Sequence, residues 1–143
     1  MKTGEIVKDE EKIKRILETV KDVAIIGLSS NAEKESNKVG KYLKDNGYRI
    51  FPVHPKEDEI LGFKAYKSLD ELTESIKKPV DVVDVFRRPE QMVPHAEEAI
   101  RHKPRVFWMQ LGIEIEEAAK MLVDAGIDVV MDHCMKKEHE KLF

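Results

Sequence analysis

The stretch Val23-Ala-Ile-Ile-Gly27-Leu28-Ser29-Ser30-Asn31, followed by Lys34-Glu35-Ser36-Asn37-Lys38-Val39, holds the residues of this chain best suited to chemistry. An aliphatic run that ends in a glycine and passes through hydroxyl and amide side chains into a helical pattern reads as strand, loop and helix start. Such a junction gathers unpaired backbone N–H groups at the positive end of a helix dipole, so it receives an anion, phosphate above all. Ser29, Ser30, Asn31, Ser36 and Asn37 add hydroxyl and amide donors, Lys34 and Lys38 add ammonium groups, and Leu28 and Val39 are counted with them as candidate ligand contacts. The stretch is not a Walker A loop, because the Gly-Lys-Ser/Thr ending is absent. Nor is it a full GxGxxG fingerprint, because Ser29 stands where a second glycine would and Gly40 lies too far on. As pattern alone it also suits a ligand-free turn.

Phe86-Arg87-Arg88-Pro89 follows an apolar run and precedes a helical one, combining an aromatic plane with guanidinium groups that grip phosphate in pairs. In Val53-His54-Pro55 the proline holds the preceding residue extended, which suits a rigid wall. Trp108 and Gln110 share one face of a strand; Trp108 reads as core, and Gln110, close to Gly112, as a contact. The tail Asp132-His133-Cys134-Met135-Lys136-Lys137-Glu138-His139 raises two further options, a metal site and a thiol activated by its neighbouring cations. The first lacks a spaced Cys or His pair, and against the second stands a buried structural cysteine. No nucleophile, base and orienting group fall into a recognisable set, and Gly27-Leu-Ser-Ser-Asn31 is not a GxSxG elbow, so a non-enzyme is expected.

The positions of these residues follow from the elements around them. Apolar residues at 13, 16, 17 and 20 give a helix over about 8–20, and strands are expected at 22–28, 48–53, 80–86, 106–111 and 128–132. Helices are expected at 36–46, from Ser68 with Glu71 as a capping box, at 89–102 and at 114–125, with a short hairpin or edge strand over 59–66. Unbroken apolar strands alternating with helices argue for one domain, 1–143, with a core over about 21–140. Its fold class is α/β, a doubly wound, mostly parallel sheet with helices on both faces. In such a sheet ligands sit beyond the carboxyl ends of the strands, and those ends are where the residues named above fall.

With 143 residues and a net charge of -3, nothing global points to nucleic acid. The single cysteine, Cys134, excludes an internal disulfide and suits a reducing compartment. No apolar run approaches the roughly 20 residues of a membrane span, and no signal-peptide core opens the chain. The expectation is a cytoplasmic protein without nucleic-acid or membrane partners, and a homodimer or a partner protein stays open.

Six blocks in order carry a resemblance: 23–30, 36–43, 47–55, 81–90, 108–113 and 129–136. Together they resemble the small stand-alone CoA-binding proteins, whose domain is similar to the nucleotide-binding domain of succinyl-CoA synthetase α subunits. The resemblance implies a Rossmann-like fold that binds coenzyme A or an acyl-CoA. It puts Gly27, Ser29, Ser36 and Lys38 at the diphosphate, Val53, His54 and Pro55 at the adenine, and Phe86 and Arg87 beside the nucleotide. The family more often has asparagine at the place of His54 and arginine at that of His133. The larger enzyme carries its phosphorylated histidine on another domain, which implies binding without turnover: a carrier, sensor or accessory module. Two alternatives are an NAD(P)-dependent redox enzyme or sensor, against which stands the lack of an acid at the tip of the second strand, and a CoA mixed disulfide at Cys134.

Overall fold

The computed structural model describes residues 3–143. Its centre is a five-stranded parallel sheet built from β1 (Asp22–Ile26), β2 (Arg49–Val53), β5 (Val82–Val85), β6 (Val106–Met109) and β7 (Asp128–Val130), in the order β2-β1-β5-β6-β7. The strands are apolar without alternation because both faces are covered. On one face α1 (Glu10–Thr19), α2 (Glu35–Asp45) and α6 (Met135–Leu142) pack Ile13, Leu17, Leu43 and Met135 against Val23, Ile25, Val82 and Trp108. On the other, α3 (Leu69–Ile76), α4 (Met92–His102) and α5 (Glu116–Asp124) pack Leu69, Leu72, Ala96 and Leu122 against Ile26, Val83, Val85 and Phe107. The doubly wound α/β reading is therefore the observed fold.

Both edges of the sheet are partly covered. The N-terminal segment runs beside β7, where Val7 N–H donates to Val129 O (2.8 Å) and Val129 N–H to Glu5 O (2.9 Å). At the other edge the expected irregular element over 59–66 is a two-residue hairpin, β3 (Glu59–Ile60) and β4 (Phe63–Lys64), whose exit lets Tyr66 bridge to Val53. Such covers remove the free strand edges that invite association.

Several boundaries differ from the sequence expectations for identifiable reasons. The strand expected over 106–111 ends at Met109, and the one over 128–132 ends at Val130, since Gly112 (φ +86°) and Asp132 (φ +58°) turn into left-handed backbone. The helix expected at 89–102 begins as a 3-10 turn at Pro89–Gln91 before α4. Ser68 does accept from Glu71 N–H, but the Glu71 carboxylate reaches Lys67 N–H, one residue before the cap. The largest difference is α6. The tail weighed as a metal or thiol site turns at Asp132 and enters a helix after Cys134, with Met135 buried against the core and His139 and Leu142 following at helical spacing.

Candidate functional site

Strand order reverses between β1 and β5, because β1 connects out to β2 on one side and the chain then returns to β5 on the other. The strand tips there should diverge and leave a crevice. They meet at Gly27. Its N–H donates to Val53 O (2.9 Å), while a Cβ on it would collide with the Phe86 carbonyl oxygen and stand 3.4 Å from Arg87 Nε. Gly27 also has φ +84°, so only glycine satisfies both the backbone and the close approach of the β5 tip.

The loop that follows is stitched to α2 by its own side chains. Ser29 N–H donates to Ser36 Oγ (3.0 Å), Asn37 Nδ2 donates to Ser29 O (2.8 Å), and Asn31 N–H donates to Ser29 Oγ (3.0 Å). Ser36 and Asn37 are buried, whereas Lys34, at the cap position, provides no side-chain cap and leaves the first amides of α2 open. Leu28 and Val39 are fully buried, so their side chains pack the core; a Cβ on Gly40 would lie 2.9 Å from a Leu28 methyl. Val53 is likewise core, and Lys38 and Pro55 are exposed.

His54 organises the turn after β2. Its Nδ1 accepts from Lys56 N–H (3.0 Å) and Glu57 N–H (3.1 Å). Burial lowers its pKa; Glu57 opposes this, and Arg87, Lys67 and Lys56 add to it, which keeps the ring neutral and able to accept. An asparagine oxygen at this position would accept from the same N–H groups and make the same turn.

Beyond β5 and β6 the crevice widens into a cleft of about 770 Å³. Phe86, Arg87, Arg88, Gln110 and Cys134 line it, together with Glu35 at the start of α2, Lys137 on α6 and the exposed Leu111. Gly112 is not part of the lining; its N–H donates to Asp132 Oδ1 (2.6 Å). Three buried side-chain polar atoms lack a hydrogen-bond partner among the described residues, and two of them, Arg87 Nε and Asp84 Oδ2, lie at or under this cleft. Asp84, which the sequence reading passed over, is fully buried beneath Gln110, whose Nε2 donates to Asp84 Oδ1. Burial pushes its carboxyl up to about 8, only partly offset by the Gln110 bond. A lone carboxylate among valines in a strand covered on both faces was the signal available for it.

Burial also pushes the Cys134 thiol above its ordinary range; the backbone N–H groups of Lys137 and Lys136 pull it back only in part, and Asp84 and Glu35 add to the rise. The lysine ammonium groups that the sequence set beside this thiol therefore do not activate it. The tail's other polar groups point elsewhere, with His133 Nδ1 at Met131 O (2.7 Å) and His139 Nδ1 at the Tyr42 hydroxyl (2.7 Å). No three His, Cys, Asp or Glu side chains gather as a metal site among the described residues, and no helix there is long and apolar enough to cross a membrane.

The family model described as "CoA binding domain" matches residues 21–140, the whole sheet and all helices but α1 apart from the end of α6. The chain belongs to this family. Membership associates the domain with coenzyme A as a small-molecule ligand. The YneT protein of Bacillus subtilis is 45% identical over 128 residues, 90% of this chain and 92% of its own length. A solved Thermus thermophilus protein superposes with a TM-score of 0.88 at 36% identity, covering 95% of this chain and 100% of that one. A stretch of 63 residues is 44% identical to the ADP-forming acetate–CoA ligase of Methanocaldococcus jannaschii; it is 44% of this chain but only 9% of the ligase. The CoA-binding domain thus resembles one small portion of that much longer enzyme.

Proposed function

We propose that this CoA-binding domain holds coenzyme A or an acyl-CoA across the β1–β5 switch point, and that it binds without turnover, as a carrier, sensor or accessory module. The diphosphate lies over Gly27 and the uncapped first turn of α2, near Lys34 and Lys38. The adenine faces the β2 tip at His54 and Pro55, and the pantetheine arm runs along the cleft past Phe86 and Arg88 toward Gln110 and Cys134. The observation that carries this reading is Arg87, whose buried Nε has no hydrogen-bond partner among the described residues where the β1 and β5 tips meet and whose side chain lines the cleft. A guanidinium with one buried, unsatisfied N–H and its remaining N–H groups toward a cleft is suited to an anionic ligand that binds those groups. The raised pKa of Cys134 argues against a resting thiolate and so against the mixed-disulfide alternative.

Titration calorimetry with CoA and with NAD is the test. CoA should give saturable heat and NAD none, and Arg87→Ala should weaken CoA by roughly 10-fold or more, the range for a lost bond to a charged group. Heat with NAD and none with CoA would discard the proposal.

A further inference from the structure

Leu111 and Phe143 are the two large hydrophobic side chains left exposed among the described residues, at 58% and 56%. They differ in their surroundings. Phe143, at the end of α6, stacks on the His139 ring at a centroid distance of 4.7 Å, so it has a partner in the fold. Leu111 packs against neither apolar core and instead lines the cleft.

The backbone holds Leu111 in that place. Residues 110–113 form a turn closed by Ile113 N–H donating to Gln110 O (3.0 Å), and its third residue, Gly112, has φ +86°. Asp132 fixes the turn from outside. Its Oδ1 accepts from Gly112 N–H (2.6 Å), and its own N–H donates to Ile113 O (3.0 Å). A leucine on a turn fixed in this way is kept from folding back into the core, and its apolar surface stays in water until something covers it.

Strand order decides which part of a ligand reaches this turn. The proposed nucleotide end lies over the β2 and β1 tips, and the cleft opens over those of β5 and β6, with Glu35 at the start of α2 joining the two. Within the lining, Phe86 and Pro89 follow β5, while Gln110, Leu111 and Ile113 follow β6, one strand further from the nucleotide. A coenzyme A whose diphosphate lies over Gly27 therefore brings its sulfur, and whatever is attached to it, to the 110–113 turn. The charged lining residues come from α2, the loop after β5 and α6, and none comes from this turn.

We infer that the 110–113 turn seats an aliphatic acyl group against Leu111 and Ile113, so that the domain prefers a CoA thioester with a chain longer than acetyl over acetyl-CoA and free CoA. The inference rests on the CoA reading above and specifies which form of the ligand is held. A chain laid on Leu111 takes apolar surface of both out of water, which a bare thiol does to a far smaller extent.

Titration calorimetry with acetyl-, butyryl- and hexanoyl-CoA varies only the number of methylenes. Affinity should rise about 2-fold per methylene, half the free energy of complete burial because this end of the cleft is open, which puts hexanoyl-CoA on the order of 10-fold above acetyl-CoA. The heat capacity change of binding should become more negative along the same series. Leu111→Ser, at an exposed position the core does not use, should reduce the hexanoyl-to-acetyl ratio to about 3-fold or less. Phe143→Ser, which removes the other exposed hydrophobic, should leave the ratio as it is. Equal affinities along the series, or a ratio that Leu111→Ser leaves intact, would overturn the inference and leave CoA binding standing. Absence of heat with CoA and with every thioester would remove the CoA reading and this inference with it.

Discussion

The turn after β1 and the tips of β5 and β6 lie at the same end of the sheet, yet they treat their polar atoms in opposite ways. In the turn, Ser29, Ser36, Asn31 and Asn37 hydrogen-bond one another, so the loop is rigid before any ligand arrives. Just past the β5 tip Arg87 Nε, and inside β5 beneath it Asp84 Oδ2, are buried without partners among the described residues. A loop that approaches a doubly charged diphosphate through backbone amides gains from being fixed in advance, since little conformational freedom is lost on binding. A cleft that discriminates among ligand ends gains from groups whose bonds the ligand itself completes, because the wrong end leaves them unpaired. Under the proposed CoA reading, the first region is a frame fixed in advance and the cleft beside Arg87 is the part left for a ligand to complete.

The contrast is most severely tested at Gly27. Gly27→Ala forces a Cβ against the Phe86 carbonyl in left-handed backbone, and should destabilise the fold by roughly 3 kcal/mol or more in a urea titration. A cost below about 1 kcal/mol would mean that the turn is not fixed in the way described.

Asp84→Asn probes the other region and should change stability in the opposite direction. The folded pKa of Asp84 is raised to about 8 from the ordinary 3.8, so the folded state binds one more proton than the unfolded state between those values. The wild type is then most stable relative to the variant below about pH 4 and loses that ground as pH rises toward 8. At pH 7 the variant should be roughly 2–4 kcal/mol more stable, and near pH 4 the two should coincide. A variant that is less stable at pH 7 would show that Asp84 is ionised and compensated in the fold.

Ser36→Ala carries the smallest expected effect. It strands the Ser29 N–H and should cost about 1 kcal/mol, with CoA affinity falling about 3-fold as the loop loosens. A loss of affinity without any loss of stability would instead make Ser36 a direct ligand contact, and would blur the division between the two regions.

Much of this was legible along the chain because it is local. Gly27 after a buried run, Pro89 at a helix start, Asn46-Gly47 at a helix end and the capping serine Ser68 each act within a few residues of themselves. The strand-tip list found Phe86, Arg87, Arg88, Gln110 and Cys134, which do line one cleft. The pattern left open the orientation of residues that have two credible uses. Leu28 and Val39 sit in a loop-and-helix stretch full of donors, but their side chains face the core, and Ser36 and Asn37 turn their polar atoms to the loop itself. The tail was read for its Asp, His and Cys side chains, and the helical spacing of Met135, His139 and Leu142 was overlooked.

By itself the sequence determined the alternation of buried strands and helices, and hence a doubly wound parallel sheet with its special residues at the strand tips. Only the tertiary structure decided that β5 and β6 are neighbours in a register opposing Asp84 to Trp108, which sets Gln110 over an acid 26 residues away. Periodicity and capping are written within a few residues of each other, but the proton affinity of a carboxyl is set by everything that surrounds it. For Asp84 those surroundings include Ile25 on β1, Trp108 on β6 and Gln110 just after it, and no stretch of sequence contains them.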